Sequence, residues 1–194
     1  MTHVTEDDLD DLEFDTLRTG DHTSAARRLS ELAASVSGGV SRANVLLRAG
    51  EQWQHAGDHA KAADLYRQAI EDGGETYGDP RAYLADALFE LGETGEARSL
   101  LDQIRADRPR DPEVYRTVAE ILYAHGDMTG AYDWATSGAD MVLSLREQDP
   151  GNEENLIAED SLEALLRLRY RARIDLGRPE DEYDAMLDDL LKTS

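Results

Sequence analysis

A turn-like segment recurs along the chain at a nearly constant interval. Residues 56–66 read AGDHAKAADLY, residues 91–101 read LGETGEARSLL and residues 125–135 read HGDMTGAYDWA. The second-position glycines of these segments are 35 and 34 residues apart, and Gly20 precedes the first of them by 37 residues. A fixed interval of this length is typical of stacked helical repeats. The period therefore predicts one array of small units.

Each unit has the pattern of two amphipathic helices joined at the turn glycine. Apolar residues recur every three or four positions before the glycine, as at Leu84, Leu88 and Leu91, and after it, as at Ala62 and Tyr66. This is the spacing of one helical face. The chain is therefore predicted to be almost entirely helical, with five antiparallel helix pairs and no sheet.

Helix starts and ends are marked by residues that commonly cap helices. Side-chain oxygens that can accept hydrogen bonds from the first turn precede several of the stretches. Gly38–Gly39 and Gly73–Gly74 are expected to end second helices, where a positive φ is needed. In the recurring Gly-Asp-His, the aspartate can cap the helix that follows, so this motif is interpreted as a turn. The expected caps are Thr5, Asp21, Ser41, Asp58, Asp79 and Asp111.

Three of these units resemble tetratricopeptide repeats, a family of 34-residue helix–turn–helix units that stack into a right-handed superhelix and bind other proteins. The family has a small residue seven before the turn glycine, a large apolar residue four before it and alanine five after it. The resemblance implies an all-α fold, a right-handed superhelix (solenoid) of about five antiparallel helix pairs. In the three units, the small residues are Gly50, Ala85 and Ala119, the large apolar residues are Trp53, Leu88 and Leu122, and the alanines after the glycine are Ala62, Ala97 and Ala131.

The flanking segments depart from the pattern and set the predicted boundaries. Glu13 stands where a small residue belongs in the first pair, and Tyr170 and Arg173 stand at the close-contact positions seven and four before the glycine in the last. The interval from Gly126 to Gly177 is 51 residues instead of 34, which indicates an insertion, or an extended helix with a mobile loop. The predicted segments are an N-terminal capping helix pair (1–40), three repeats (41–146), an acidic insertion or loop (147–160) and a C-terminal capping hairpin (161–194).

The resemblance also implies where a partner binds. In this family the first helices line the concave face, and their exposed positions lie 13, 10, 6 and 3 residues before the turn glycine. Glu51, Asp86 and Glu120 take the same position in three successive units and predict a row of carboxylates, with Phe89 and Tyr123 beside it. The predicted ligand is a basic peptide or helix with apolar anchors. The candidate groove residues are Asn44, Leu47, Glu51, Gln54, Asp79, Ala82, Asp86, Phe89, Glu113, Arg116, Glu120 and Tyr123.

Composition limits the other classes of ligand. The net charge of -22 argues against nucleic acid, because proteins that bind phosphate backbones carry clustered Lys and Arg. The acidity, together with positive charge that is almost all arginine, also fits a surface adapted to high salt, or GC-rich codon usage, without a specific ligand. No apolar run approaches the ~20 residues of a membrane span. The start MTHVTEDDLDD has no apolar stretch and the chain has no cysteine, so a cytoplasmic location is expected.

Metal and catalytic sites are weakly indicated. Glu51, His55 and His59 are spaced by four residues, as helical metal ligands are, but the turn at Gly57 separates the last of them from the helix. The motifs GxxxxGK, GxSxG and HExxH do not occur in the sequence. The chain is therefore predicted to be non-catalytic and to need no cofactor or metal.

Two functions remain open at this stage. The first is an adaptor whose groove binds a segment of another protein. The second is a self-association module, in which Tyr183, Leu187 and Leu190, or the apolar side of the 128–146 helix, pair with a second copy.

Overall fold

The computed structural model describes residues 2–148 and 154–193. Within these ranges the chain forms ten α-helices and two short strands, an all-α helical repeat fold. The elements in chain order are β1 (Thr2–Val4), α1 (Glu6–Thr19), α2 (His22–Ser35), β2 (Val36–Gly39), α3 (Arg42–His55), α4 (His59–Asp72), α5 (Pro80–Glu90), α6 (Thr94–Asp107), α7 (Pro112–Ala124), α8 (Met128–Gln148), α9 (Glu154–Asp175) and α10 (Glu182–Thr193).

The chain divides into two compact units, Met1–Ala106 and Asp107–Ser194, here called the N-terminal and C-terminal units. In the N-terminal unit, α3 packs against α2 and α4, and α4 packs against α5. In the C-terminal unit, α8 packs against α7 and α9, and α9 also contacts α7 and α10. Each unit therefore buries the apolar faces of its helices against its own neighbours.

The recurring glycine closes a helix, as the sequence predicts. Gly57, Gly92 and Gly126 have φ values of 82°, 78° and 81°, in the left-handed region. The residue after each glycine donates its backbone N–H five residues back, as in Asp58 to Trp53 O at 2.9 Å, so the last carbonyls of the helix are satisfied. The side chain of Asp58 then caps α4 through the Lys61 N–H at 3.1 Å. Gly-Asp-His is thus a turn and cap.

The first helices start at the predicted caps. Ser41 accepts from the Asn44 N–H at 3.0 Å, and Asp111 accepts from the Glu113 N–H at 2.9 Å. Thr5 forms the expected capping box with Asp8. These short-range contacts explain why the helix starts could be located from the sequence.

The expectation of no sheet is wrong at one place. β1 pairs in parallel with β2, with Val4 opposite Gly39, and the Val40 N–H donates to Val4 O at 2.8 Å. Gly38 and Gly39 belong to this strand instead of ending α2, whose last residue is Ser35. Val4 is 2% exposed and belongs to the apolar cluster formed by α1, α2 and α3, which anchors the strand.

The C-terminal unit contains the two longest helices of the described chain. α2, α4 and α6 each have 14 residues, whereas α8 has 21 and α9 has 22. Residues 147–148 belong to α8 and 154–160 to α9, so helix occupies much of the segment predicted as an insertion or loop. Residues 149–153 of that prediction lie outside the described residues.

The small residues before each turn lie where the repeat pattern places them. Gly50 is buried, and Ala85 and Ala119 are each 0% exposed. In the last pair Tyr170 takes this position and is 40% exposed, whereas Arg173, four before the glycine, donates through Nε to Asp184 Oδ1 at 2.9 Å inside the hairpin. At the position four before the glycine, a buried ion pair thus takes the place of the large apolar side chain of the three repeats.

Candidate functional site

Three of the predicted groove positions offer no side-chain surface. Leu47 is 0% exposed, Ala82 is 1% exposed and Asn44 is 5% exposed, so the expectation that these positions face solvent is wrong. α3 is buried nearly all round because it packs against α2 and α4 and also contacts α5. A repeat pattern read one unit at a time does not include the burial that adjacent units add.

The loop between α4 and α5, residues 73–79, covers part of the α3 face. Tyr77 donates its backbone N–H to Asn44 Oδ1 at 3.1 Å and its phenol to the Glu51 carboxyl. The Arg48 guanidinium lies 5.3 Å from the centre of the Tyr77 ring. Part of the surface predicted for a partner is therefore occupied by the chain itself.

Beside this loop, α3, α4 and α5 surround a cavity of about 190 Å³, here called the α3–α5 cavity. The Tyr66 phenol donates to Gln54 Oε1 at 2.9 Å, and Gln54 in turn donates to the Asp86 carboxylate. The ring centres of Tyr66 and Tyr83 are 5.9 Å apart. The cavity thus combines carboxylates with aromatic walls. Its lining residues are Glu51, Gln54, His55, Tyr66, Tyr83 and Asp86.

The carboxyl of Glu51 has an unusual electrostatic environment. Burial raises its pKa from 4.5 to about 7, although the hydrogen bond from Tyr77 and the charge of Arg48 lower it, while the charge of Glu13 raises it further. Arg48 stabilises Glu51 only in part because its guanidinium also pairs with Glu6 at 2.9 Å and Glu13 at 2.8 Å. The Glu51 carboxyl therefore keeps its proton to a higher pH than an exposed glutamate does.

Two predicted groove residues of α5 have different surroundings. Asp79 caps α5 by accepting from the Arg81 N–H at 3.0 Å and pairs with the Arg81 guanidinium at 2.7 Å. Phe89 is half-buried. Asp79 therefore has a structural role at the helix start.

In the C-terminal unit, the predicted carboxylates of α7 are paired on their own helix. Arg116 donates through Nε to Glu113 at 3.0 Å and through Nη1 to Glu120 at 3.1 Å. Ser161 of α9 also donates to Glu113, at 3.2 Å. Neutralised by Arg116, Glu113 and Glu120 present less net negative charge than the sequence pattern implies.

Tyr123, the last predicted groove residue, faces α9. Its phenol donates to Asp175 at 2.6 Å, and the Arg171 guanidinium lies 4.7 Å from its ring centre. The ring is therefore held by α9 in the described structure.

The cavity includes tyrosines that the sequence did not single out as site residues. Tyr66 takes the position that Leu101 has in the next repeat, and Tyr83 takes the position of Thr117. The signal available in the sequence was this contrast: one unit has phenols where its neighbour has an aliphatic and a small hydroxyl side chain. Tyr77 carried no such signal because it lies in a loop.

Two further findings concern other classes of site. Among residues 2–148 and 154–193, no group of three or more His, Asp or Glu side chains is arranged to hold a metal ion. No helix in these ranges is both long enough and apolar enough to cross a bilayer.

Comparisons with known proteins place the repeats in a family. Two family models, each described as tetratricopeptide repeat, match residues 15–76 and 55–121. Together the matches run from within α1 into α7, more than half of the chain. A comparison with curated proteins gives no match. The turn geometry, the small residues before each turn and these two matches agree, and the chain belongs to the tetratricopeptide repeat family.

Proposed function

We propose that this chain is a non-catalytic adaptor that binds a basic segment of another protein, with apolar anchors, at the α3–α5 side of its N-terminal unit. Tetratricopeptide repeats generally mediate protein–protein interaction or scaffolding. The proposal specifies the chemistry of the ligand and the surface of this chain that it contacts. The cytoplasmic location stays a prediction from the sequence.

The proposal rests chiefly on the convergence of two repeat-equivalent carboxylates. Glu51 of α3 and Asp86 of α5 line the same cavity, as their shared repeat position predicts. Tyr83, which is half-buried, supplies aromatic surface next to them, and this is the combination of charge and apolar contact that interface anchors use. A basic segment is favoured because the lining carries two carboxyl groups.

A peptide selection on the full chain tests this function. A library of random dodecapeptides is displayed and selected on the immobilised protein, and the enriched sequences are synthesised for affinity measurement. We expect enrichment of Arg or Lys together with aromatic or aliphatic residues, and an affinity that decreases with added salt. Enrichment of acidic or uncharged peptides would contradict the proposal, as would a selection that yields no binder.

Matched variants locate the binding surface. Glu51→Gln with Asp86→Asn removes two ionisable carboxyls from the cavity but keeps the acceptors for Tyr77 and Gln54. We expect this double variant to bind the selected peptides about tenfold more weakly. The control is Asp64→Asn with Glu71→Gln on α4, which removes two exposed charges of the same types. Equal losses in both variants would show that only the overall charge matters.

Self-association is the alternative function, and the apolar groove on α10 favours it. Ala185, Met186 and Leu190 border that groove, and the neighbouring Leu191 is 43% exposed. Two of the three residues predicted to pair copies are used within the unit, however. Leu187 is 6% exposed, and the Tyr183 phenol donates to Asp140 of α8.

Light scattering over a range of protein concentrations separates the two functions. The adaptor is expected to remain monomeric at all concentrations. A mass that doubles with concentration, and returns to the monomer value in Leu190→Asp, would establish self-association through α10.

A further inference from the structure

We propose that the solvent-facing side of α1 docks a basic amphipathic helix of a partner protein. Four residues form this surface, here called the α1 stripe: Asp7, Asp10, Phe14 and Leu17. The α1 stripe lies on a different helix from the residues that line the α3–α5 cavity, so the inference does not depend on peptide binding at that cavity. Apolar exposure, helical spacing and charge support it.

Phe14 and Leu17 are the most exposed large hydrophobic residues in the described part of the chain. Their exposed fractions are 69% and 81%. They lie three residues apart on one helix, so their side chains are neighbours on its surface. The core contacts of α1 come from other residues, since Leu9, Leu12 and Thr16 are its buried ones. Phe14 and Leu17 therefore form an apolar patch that the folding of the chain does not use.

The α1 stripe has the spacing of a helix-packing surface. Residues 7, 10, 14 and 17 are separated by three, four and three positions, which keeps them on one side of a helix. This side lies about 150° around the helix from the buried residues 9, 12 and 16, at about 100° per residue. The stripe is about 15 Å long, the length of about three helical turns. A second helix can therefore lie along it without displacing the contacts of α1 with α2.

The α1 stripe is divided into an acidic half and an apolar half. Asp7 and Asp10 occupy its N-terminal half, and both are exposed. Arg48 of α3 pairs with Asp10 at 3.3 Å, but the same guanidinium also pairs with Glu6 and Glu13. One cation therefore faces three carboxylates, and this half keeps a net negative charge. A complementary helix carries Lys or Arg about two turns away from two apolar residues on the same face.

The apolar pair distinguishes the α1 stripe from the rest of an acidic protein. The net charge of the chain is -22, so exposed carboxylates also occur elsewhere, as at Asp64 and Glu71 of α4. None of the large exposed hydrophobic residues of the described chain lies on α4. Burial of Phe14 and Leu17 supplies binding energy and a position for the partner that acidity alone does not supply.

A second copy of α1 does not complement the α1 stripe. In full parallel overlap, the aspartates of the two helices would lie side by side and repel each other. In full antiparallel overlap, the aspartates of each helix would cover Phe14 and Leu17 of the other, which buries carboxylates against apolar surface. The helix that docks on this surface therefore has a different charge.

The helix α9 of a second copy has complementary residue types, but its cations have partners within the chain. Tyr170 and Ile174 are 40% and 50% exposed and lie beside Arg167 and Arg171. Arg167 pairs with a glutamate of its own helix at 2.7 Å, and Arg171 lies 4.7 Å from the ring centre of Tyr123. A partner helix that can direct its Lys or Arg at the acidic half is therefore favoured over a second copy.

A helix selection on the full chain tests the docking surface. Alanine-based helical peptides, randomised along one face, are displayed and selected on the immobilised protein. We expect the enriched helices to carry Lys or Arg at one end of the face and aliphatic or aromatic residues at the other. Enriched helices with acidic or uncharged faces would overturn the inference, as would a selection that yields no binder.

Variants of the apolar half locate the binding of a selected helix. Phe14→Ser with Leu17→Ser is expected to weaken this binding about tenfold, and the thermal unfolding midpoint should not fall because both side chains are exposed. The control is Leu91→Ser, which removes an exposed leucine at the end of α5 and should leave the affinity unchanged. Unchanged affinity in the α1 variant would place the helix elsewhere and overturn the inference.

Variants of the acidic half test the charge of the partner. Asp7→Asn with Asp10→Asn is expected to weaken binding about tenfold and to reduce its dependence on salt. Asp64→Asn with Glu71→Gln on α4 is the control and should change neither property. Equal losses in the two variants would overturn the inference, because the overall charge of the chain would then explain the binding.

Two further measurements separate the α1 stripe from the surfaces discussed above. Glu51→Gln with Asp86→Asn should leave a selected helix bound, and a loss equal to that of the α1 variants would show that the two surfaces are not separate. A selected helix that binds α1 while no random peptide binds the cavity would retain this inference alone. In light scattering, a mass that rises with concentration and returns to the monomer value in Phe14→Ser with Leu17→Ser would assign the α1 stripe to a second copy and overturn the inference.

Discussion

Gly50 of α3 lies directly against the ring of Tyr66 of α4: a Cβ atom built on Gly50 would come within 2.3 Å of Tyr66 Cε1. Tyr66 is 0% exposed, so its ring cannot move aside into solvent. We therefore expect Gly50→Ala to lower the free energy of unfolding by about 1–3 kcal/mol, because overpacking outweighs the gain in helix propensity. Urea denaturation measures this change.

Gly95→Ala is the matched control. Gly95 lies in α6 with no heavy atom within 4 Å of a built Cβ, so the same substitution is expected to stabilise the protein by about 0.5 kcal/mol. A gain of stability in both variants would show that α3 and α4 are not in close contact at Gly50.

The second prediction concerns pH and Glu51. Its pKa is about 7 in the folded chain and 4.5 in the reference state, so the folded state binds a proton more tightly than the unfolded chain. Stability from this group is therefore fully present below pH 4.5 and is lost as pH rises to 7, by up to about 3 kcal/mol. Glu51→Gln is expected to remove this loss.

Urea denaturation at several pH values provides the measurement. The stability of the wild type relative to Glu51→Gln should fall between pH 4.5 and 7. A flat difference for Glu51→Gln would show that its carboxyl ionises as it does in water.

The third prediction concerns the buried ion pair of the last hairpin. The side chains of Arg173 and Asp184 are 7% and 10% exposed. Arg173→Met leaves the carboxylate of Asp184 buried without its cation, so we expect a loss of about 3–5 kcal/mol. Loss of hydrogen-exchange protection in α10 would localise the effect.

A second variant separates charge from packing. Adding Asp184→Asn to Arg173→Met removes the buried charge and keeps an acceptor for the Asp181 N–H. The double variant should be more stable than Arg173→Met alone. If the second substitution instead adds a further loss, the stranded charge is not the cause.

The fourth prediction concerns the attachment of β1. Gly39 has a φ of 88°, and a built Cβ would lie 1.8 Å from Val4 O. Gly39→Ala is therefore expected to separate β1 from β2 and to expose the Val40 amide, which donates to Val4 O, to hydrogen exchange. Backbone strain at such a φ contributes about 1–3 kcal/mol.

Gly20→Ala shows the effect of strain without a clash. Gly20 has a φ of 72° and no heavy atom within 4 Å of a built Cβ. The Gly20→Ala substitution should lower the free energy of unfolding by about 1 kcal/mol, while the Val40 amide remains protected from hydrogen exchange. Intact protection of Val40 in Gly39→Ala would contradict the strand pairing.

The features that could be predicted from the sequence are those set by local spacing. The turn glycines, the caps at Ser41 and Asp111 and the small residues Gly50 and Ala85 all follow from chemistry within one helix pair. β1 could not be predicted because it pairs with a strand more than 30 residues away, and three residues carry no measurable periodicity.

The candidate site was only partly predictable for the same reason. Glu51 and Asp86 were identified by their shared repeat position, and the cavity brings them together. The burial of Leu47 depends on the packing of α3 against its neighbours. The contact of Tyr77 with Glu51 depends on the path of a loop, for which the repeat pattern specifies neither side chain nor direction.

The length of α8 has a consequence for how such repeats can grow. Its seven residues beyond the 14 of α2, α4 and α6 make about two turns, and seven residues displace a helical face by only about 20°. Val142, the first of these seven residues, is buried on the same stripe as Ala131, Ala135 and Gly138. An insertion of five residues would instead turn the following stripe by about 140°. A helix in this architecture can therefore be lengthened by seven residues while its apolar face still points toward the neighbouring helices. Evolution and protein engineering can use this seven-residue step to extend a repeat without repacking it.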